Sequence, residues 1–193
     1  MRVIRRGMEE IAVIDPRKKY GESGQYVSYE CTKKDSKLNI VRILAAARAE
    51  RMEIRYYYRK MTSMAGESVP VKVIITEIPP GHVQPFHTHL LIHEVTHVDE
   101  GELIAIESAD LTEEDWALIV TQGEVLNPGD TVLEEPGVRH TVMNRDPERY
   151  CIITTVQADR TISSEQFKSD WVREEPQAKE AGEVPVVRAR ETV

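Results

Sequence analysis

Histidine is concentrated in one short stretch of this chain. Five of the six histidines fall between residues 82 and 97, and the sixth is His140. In a strand, residues two apart point to the same face, so His87 and His89 can approach one ion together. Glu94 follows five residues after His89, and a hairpin could return its carboxylate to that face. Three imidazoles and one carboxylate are a suitable ligand set for a first-row divalent cation, with water or substrate at any position left open.

The spacing of several glycines, three histidines and one glutamate resembles the two conserved motifs of the cupin superfamily. The first motif is matched by Gly81, His87, His89, Glu94 and Gly101, and the second by Gly129, Pro136, Gly137, His140 and Asn144. One departure is visible, because the usual second motif has a residue between its proline and its glycine, whereas Pro136 and Gly137 are adjacent. The resemblance covers about residues 69 to 158, somewhat under half of the chain. It implies a small jelly-roll β-barrel with a metal ion in its interior.

By motif matching, the resemblance implies that the metal ligands are His87, His89, Glu94 and His140. The ion is expected to be one divalent transition metal, and iron, manganese, nickel, zinc and copper are all chemically acceptable to these ligands. His93 and His97 have the opposite strand parity to Glu94, so we expect them to face away from the metal. His93 is the substitute ligand if a β-bulge changes that parity.

Five further residues are candidates for the pocket around the metal. Thr96, Val98 and Val142 share the inward parity of the ligands and are expected to wall it. His82 follows a turn glycine and Gln84 lies close behind it, so both are expected near the opening, where they could contact a substrate. No residue outside the metal ligands stands out as a general acid or base, so the sequence leaves the catalytic residues unidentified.

Three other features lead to their own expectations. Arg139 directly precedes His140, so it should point the opposite way and form a surface charge. Asn144 ends the second motif and is expected to make a structural hydrogen bond. The aromatic run at 56–58 predicts a strand at a subunit contact, or alternatively a lid over the pocket.

The central part of the chain predicts an all-β fold. Residues from about 69 to 158 are rich in Val, Ile, Thr, Gly and Pro, which favours short strands separated by turns. Strands are predicted at 71–78, at 93–106 as a pair with a turn at 99–102, at 116–122, at 131–134 and at 150–156. The predicted fold class is a jelly-roll double-stranded β-barrel with an N-terminal extension and one or two short peripheral helices.

Two helices are predicted outside the barrel. Asp35 or Ser36 could cap the first, although residues 38–44 could also form a strand. Ser163 begins a capping-box pattern that predicts a short C-terminal helix reaching Trp171. The predicted units are an N-terminal extension at 1–66 that packs on the barrel or on a dimer partner, the barrel at 67–160, and the C-terminal helix with a charged tail at 161–193.

Composition excludes some classes of partner. The chain has 193 residues, with 25 Lys and Arg against 33 Asp and Glu, so its net charge is −8. This charge argues against binding to nucleic acid or to a membrane surface, because polyanions would be repelled. Cys31 and Cys151 form no CxxC motif, and neither a spanning segment nor a secretory signal is apparent, which favours a cytoplasmic location. Exposed sheet edges favour a homodimer.

The ligand set alone does not choose a reaction. We expect a small molecule to bind in the barrel. The leading hypothesis is an oxidoreductase of the dioxygenase kind that uses Fe(II) or Mn(II). A second hypothesis is a metal-dependent isomerase or lyase of a sugar acid or enolisable acid. A third is a non-catalytic cupin that only binds a small molecule. Consumption of O₂, anaerobic turnover, or stabilisation by a ligand without product would separate the three.

Overall fold

The computed structural model describes residues 8–19, 21–31, 34–58, 71–158 and 171–173. Within these ranges the chain forms twelve strands and two helices. The strands are β1 (Met8–Ile14), β2 (Tyr26–Glu30), β3 (Glu53–Tyr58), β4 (Val71–Ile78), β5 (His87–His89), β6 (His93–Glu100), β7 (Leu103–Glu107), β8 (Glu124–Leu126), β9 (Thr131–Glu134), β10 (Arg139–Asn144), β11 (Cys151–Ala158) and β12 (Trp171–Arg173). The helices are α1 (Lys34–Ala49) and α2 (Trp116–Gln122).

The strands form two antiparallel sheets. The larger sheet has the order β2-β1-β3-β4-β11-β6-β9, and the smaller has the order β12-β5-β10-β7-β8. Chain neighbours β5, β6 and β7 alternate between the two sheets, so the chain winds around the barrel instead of forming hairpins. The fold is therefore all-β and of the jelly-roll type, as predicted.

The barrel core lies between the inner faces of the two sheets. Its apolar cluster comprises Ile78, Val98, Leu103, Ala105, Leu126, Val142, Cys151 and Ile153. These residues come from both sheets, so burying their apolar surface holds the sheets together. The alternation is clear in β11, where every second residue from Cys151 to Gln157 is buried. The strand period of two therefore fixes which side chains face the interior.

Gly101 lies where the chain passes from β6 in one sheet to β7 in the other. Its φ is +90°, and a Cβ atom there would lie 2.9 Å from Cα of Cys151. A residue without a Cβ is needed for both reasons. The predicted strand pair at 93–106 therefore consists of two real strands, but they belong to opposite sheets and do not pair with each other.

The N-terminal strands extend the larger sheet. β3 pairs with β4 of the barrel, and β1 lies between β2 and β3. The aromatic run at 56–58 is therefore a strand, as predicted, and a subunit contact there stays a prediction. Helix α1 excludes the alternative strand at 38–44 and packs partly buried Ile40 and Leu44 on this sheet. Arg48 in its last turn donates two hydrogen bonds to Glu77 of β4.

Two predictions outside the barrel need correction. Residues 116–122 form helix α2 and not a strand. A short apolar run suits either structure, and here only Ile119 is buried while Trp116 and Leu118 remain exposed. The helix predicted after Ser163 lies outside the described residues, but Trp171, expected on it, lies in strand β12 beside β5. Within the described residues, no helix is long and apolar enough to cross a bilayer.

Candidate metal centre

The structure brings together the four side chains that the motifs single out. One ligating atom from each of His87, His89, Glu94 and His140 lies within 4.8 Å of the others. His87 and His140 are cross-strand neighbours on β5 and β10 of the smaller sheet. Glu94 reaches them from β6 in the larger sheet. The hairpin expected between His89 and Glu94 is wrong, because the chain crosses the barrel between them and the carboxylate arrives from the opposite wall.

The imidazoles surround a small common volume. Ring centroids are 4.5 Å apart for His87 and His140, 5.1 Å for His87 and His89, and 5.8 Å for His89 and His140. Nε2 of His89 lies 3.0 Å from Oε2 of Glu94. These separations leave every ligating atom close to one shared point inside the barrel.

Backbone carbonyls orient two of the rings. Nδ1 of His87 donates to Pro85 O at 2.9 Å, and Nδ1 of His140 donates to Val138 O at 2.9 Å. Because the proton is then on Nδ1, the lone pair of Nε2 is available to a cation. Nε2 of His140 is buried and has no hydrogen-bond partner among the residues that the structure describes. An orphaned buried acceptor of this kind fits a bound metal ion.

Gln157 supports the ligands from β11. Its side-chain amide donates to Oε2 of Glu94, and the same nitrogen lies 3.3 Å from Nε2 of His89. Glu94 and Gln157 are register partners on adjacent strands, so the contact follows directly from the sheet. Sequence reasoning missed Gln157, although its inward parity on β11 could have indicated it.

Burial favours the neutral form of two rings, His87 and His140, beside an ionised carboxyl. Burial, reinforced by the neighbouring His140, lowers the pKa of His87 to about 3. Burial also lowers the pKa of His140. Burial alone would raise the pKa of Glu94, but the hydrogen bond from His89 and the electrostatic interaction with that side chain lower it to about 2. Neutral imidazoles with one carboxylate are the protonation states that bind a divalent cation.

The cluster borders a cavity of about 1380 Å³. Four of the five predicted pocket residues line it, namely His82, Gln84, Thr96 and Val142. Val98 does not, because its side chain is completely buried in the barrel core. Parity correctly predicted that Val98 points inward, but parity cannot tell a cavity wall from packed core. His93 is exposed, as its parity predicted.

A buried carboxylate that sequence reasoning missed also lines the cavity. Glu53 of β3 is 1% exposed. It accepts hydrogen bonds from Nε of Arg55 at 2.6 Å and from Nε2 of Gln84 at 3.0 Å, and Nε2 of His82 lies at 3.4 Å. Burial alone would raise its pKa, but the charge of Arg55 and the contact with His82 lower it to about 2. The only signal in the sequence was the polar alternation of Glu53, Arg55 and Tyr57 along one strand face.

The lowered pKa of Glu53 predicts a pH-dependent contribution to stability. A carboxyl whose folded pKa lies below its unfolded value stabilises the protein above about pH 4.5, and the contribution disappears as pH falls towards 2. We expect the difference in unfolding free energy between the native chain and Glu53→Gln to shrink by roughly 2–3 kcal/mol across that window. Urea unfolding at a series of pH values measures it. A constant difference would contradict the ionised, paired state of Glu53.

Two residues beside the centre have structural roles. Arg139 is buried and not the expected surface charge, because its Nη1 donates to Ser108 O and Leu111 O and its guanidinium stacks 4.2 Å from the Phe86 ring centroid. It does point away from the cluster, as its parity predicted. Asn144 donates to Ile78 O and Pro79 O at the end of β4 and to Arg149 O, which is the structural hydrogen bonding expected of it.

Comparison with solved structures finds partial similarity to several proteins. One is an uncharacterized conserved protein with a double-stranded beta-helix domain from Klebsiella pneumoniae, which is 20% identical to this chain. The alignment covers 57% of this chain and 80% of that protein, with a TM-score of 0.43. Another is a sugar phosphate isomerase from a cupin superfamily, from Silicibacter pomeroyi, which is 19% identical to this chain. The alignment covers 54% of this chain and 59% of that protein, with a TM-score of 0.39. A third is a Cupin 2 conserved barrel domain protein from Salinispora arenicola, which is 17% identical to this chain. The alignment covers 57% of this chain and 81% of that protein, with a TM-score of 0.40. No family model matches the sequence, and no curated protein matches it significantly.

The chain itself carries the features that the resemblance to cupins implied. Both motifs have their expected spacing apart from the shifted proline. The two sheets wind as a jelly roll, and the histidines and glutamate of the motifs converge inside it. The fold is therefore the double-stranded β-barrel that the resemblance to cupins implied.

Proposed function

We propose that this protein is a metal-dependent enzyme that binds a small molecule in the barrel cavity. The observation that carries the proposal is the cluster of His87, His89, Glu94 and His140, three of which line a cavity large enough for a substrate. A divalent transition metal bound there would supply Lewis-acid polarisation of a substrate oxygen. Glu94 reaches the cluster from the opposite sheet, and backbone carbonyls accept hydrogen bonds from His87 and His140. These contacts would keep the ligands in place during turnover.

The residues around the cluster suggest how a substrate would be held. Thr96 and Thr155 are cross-strand neighbours whose hydroxyl groups lie 3.2 Å apart on the cavity wall. Ile92, Val142 and Ile153 contribute apolar surface beside them. Such a wall offers a few oriented polar groups among apolar ones, which is the usual character of a small-molecule site.

For the reaction, we propose an oxidoreductase of the dioxygenase kind that uses Fe(II) or Mn(II). Such a reaction consumes one O₂ for each substrate, and both oxygen atoms enter the products. Three imidazoles and one carboxylate suit either ion. The alternative is a metal-dependent isomerase or lyase of a sugar acid or enolisable acid, which needs no oxidant.

One experiment tests both levels of this proposal. The protein is purified without a metal-binding tag, reconstituted with Fe(II), Mn(II) or Zn(II), and analysed for bound metal. It is then supplied with a panel of hydroxy and keto acids in sealed vessels with and without O₂. One metal per chain and O₂ uptake matched to substrate loss support the dioxygenase. Turnover without O₂ supports the alternative, and a lack of bound metal after reconstitution overturns the metal-dependent function altogether.

We also propose that the protein forms a homodimer and resides in a reducing, cytoplasmic compartment. Edge strand β2 presents exposed Tyr26 and Val27, which a second copy could cover. Cys31 and Cys151 are both buried thiols, and burial raises the pKa of Cys151 to about 12, which suits packing and not redox chemistry. Size-exclusion chromatography with light scattering should give twice the monomer mass, and a mass of one chain would contradict the dimer.

A further inference from the structure

We infer that the cavity takes an anionic substrate, with one end at the metal centre and a carboxylate or phosphate at a basic wall formed by Lys18, Lys19, Arg55 and Lys72. This inference rests on the proposed function and names its substrate class. All four basic residues line the same cavity as the metal ligands. They belong to β3, β4 and the connection between β1 and β2.

Strand register places the basic wall across the sheet from the metal centre. Glu94 pairs with Gln157, and Gln157 pairs with Lys72 on the next strand. Two strand spacings separate Glu94 from Lys72, which is about 10 Å, and a third spacing reaches β3. Gln157 lies between Glu94 and Lys72, and the neighbouring row of the inner face carries Thr96, Thr155 and Ile74. All of these residues line the same cavity as the two ends. A ligand that touches both ends is therefore elongated.

Arg55 and Lys72 are held in position by their neighbours. Nε of Arg55 donates to Glu53 at 2.6 Å, and its guanidinium also lies next to the Tyr57 hydroxyl. Nζ of Lys72 lies 5.3 Å from the centroid of the Tyr57 ring. Both cations therefore flank one tyrosine on the concave face of the sheet, and fixed cations of this kind bind an anionic oxygen at low entropic cost.

The basic wall carries more positive than negative charge, whereas the cavity lining as a whole is balanced. The four cations of the wall lie among two lining carboxylates, Glu22 and Glu53. When Arg17, Glu94 and the acidic pair at 113–114 are counted as well, the formal charge of the full lining is zero in a chain of net charge −8. Arg17 also lines the cavity but is neutralised by Asp15 at 2.8 Å. The acidic pair at 113–114 lines the cavity from the segment before α2. A locally basic wall in an acidic protein attracts anions to this site.

Dicarboxylates of increasing length provide a direct test. Binding of succinate, adipate, suberate and sebacate to the Mn(II)-loaded protein is measured by isothermal titration calorimetry. We expect affinity to rise from succinate to a longer member of the series. The monomethyl ester of that best ligand, which lacks one charge, should bind about tenfold or more weakly. Its phosphono analogue, with one carboxylate replaced by phosphonate, shows whether the wall prefers phosphate.

Variants separate the wall from the rest of the cavity. Lys72→Met should weaken the best dicarboxylate about tenfold or more and abolish the preference for the diacid over its half-ester. Arg55 is tested in the double variant Glu53→Gln with Arg55→Gln, so that no buried carboxylate is left unpaired. Arg145→Gln is the matched control, because this arginine pairs with Glu102 and does not line the cavity.

Each outcome decides a different point. Equal binding of the diacid and the half-ester, or unchanged binding by Lys72→Met and by the double variant, overturns the anionic-substrate inference while bound Mn(II) leaves the proposed function standing. Failure to bind any of Mn(II), Fe(II) and Zn(II) after reconstitution overturns the proposed function instead. Weakening by Arg145→Gln equal to that by Lys72→Met also overturns the inference, because the effect would then arise from overall charge.

Discussion

Replacing His140 with alanine should lower the affinity for a divalent transition metal by about 100-fold or more, whereas His97→Ala should leave it nearly unchanged. His140 directs a buried Nε2 at the other ligands, with no other hydrogen-bond partner for that atom in the part of the chain that the structure describes. His97 is on the same strand as Glu94, but it has the opposite parity and therefore faces away from the cluster. Its Nδ1 lies 2.9 Å from the Thr131 hydroxyl. Both variants lose an imidazole, and only one loses a proposed ligand.

Competition with a chromogenic chelator measures the affinities, and elemental analysis gives the metal content. Circular dichroism and thermal unfolding of the metal-free proteins check that His140→Ala still folds. Similar losses in the two variants would contradict the assignment of ligands by strand parity. A loss in neither would remove His140 from the site.

Replacing Gly101 with alanine should lower the free energy of unfolding by about 3 kcal/mol or more. Two separate penalties contribute. The φ of +90° is unfavourable for any residue with a Cβ, and that Cβ would lie 2.9 Å from backbone Cα of Cys151 and 3.2 Å from Tyr150 O. Backbone atoms of a central strand cannot move aside as a flexible side chain would, so the strain stays in the native state.

Gly129 provides the matched control for this prediction. Its φ is +98°, but a Cβ there meets no atom within 4 Å. Gly129→Ala should therefore lower the free energy of unfolding by only about 1 kcal/mol, which is the penalty of the positive φ alone. Denaturant unfolding of both variants separates the two penalties. An equal loss in Gly101→Ala and Gly129→Ala would show that the contact with Cys151 is not restrictive.

Strand parity explains most of what could be predicted about the site. The two-residue period correctly placed His87 and His89 on one face, where both join the cluster, and separated Glu94 from exposed His93. It could not reveal which sheet each strand joins, because that depends on contacts between residues far apart in the chain. For this reason the sequence suggested a hairpin for Glu94, where the structure has a crossing of the barrel.

The sequence also could not show which polar residues are buried. Arg139 and Glu53 are charged, so composition alone places them at the surface. Both are buried because partners from distant segments surround them, namely Ser108 O and Leu111 O for the first, and Gln84 and His82 for the second. The contribution of β3 to the cavity was invisible for the same reason, since no motif covers it.

Ligands on opposite walls also have a consequence for folding. His87 and His140 belong to one sheet and Glu94 to the other. An ion bound by all three side chains would therefore link the two sheets. Its binding energy then adds to the stability of the native barrel. A shortage of the ion would then lower the fraction of the protein that is folded, and the supply of metal would govern how long each copy survives.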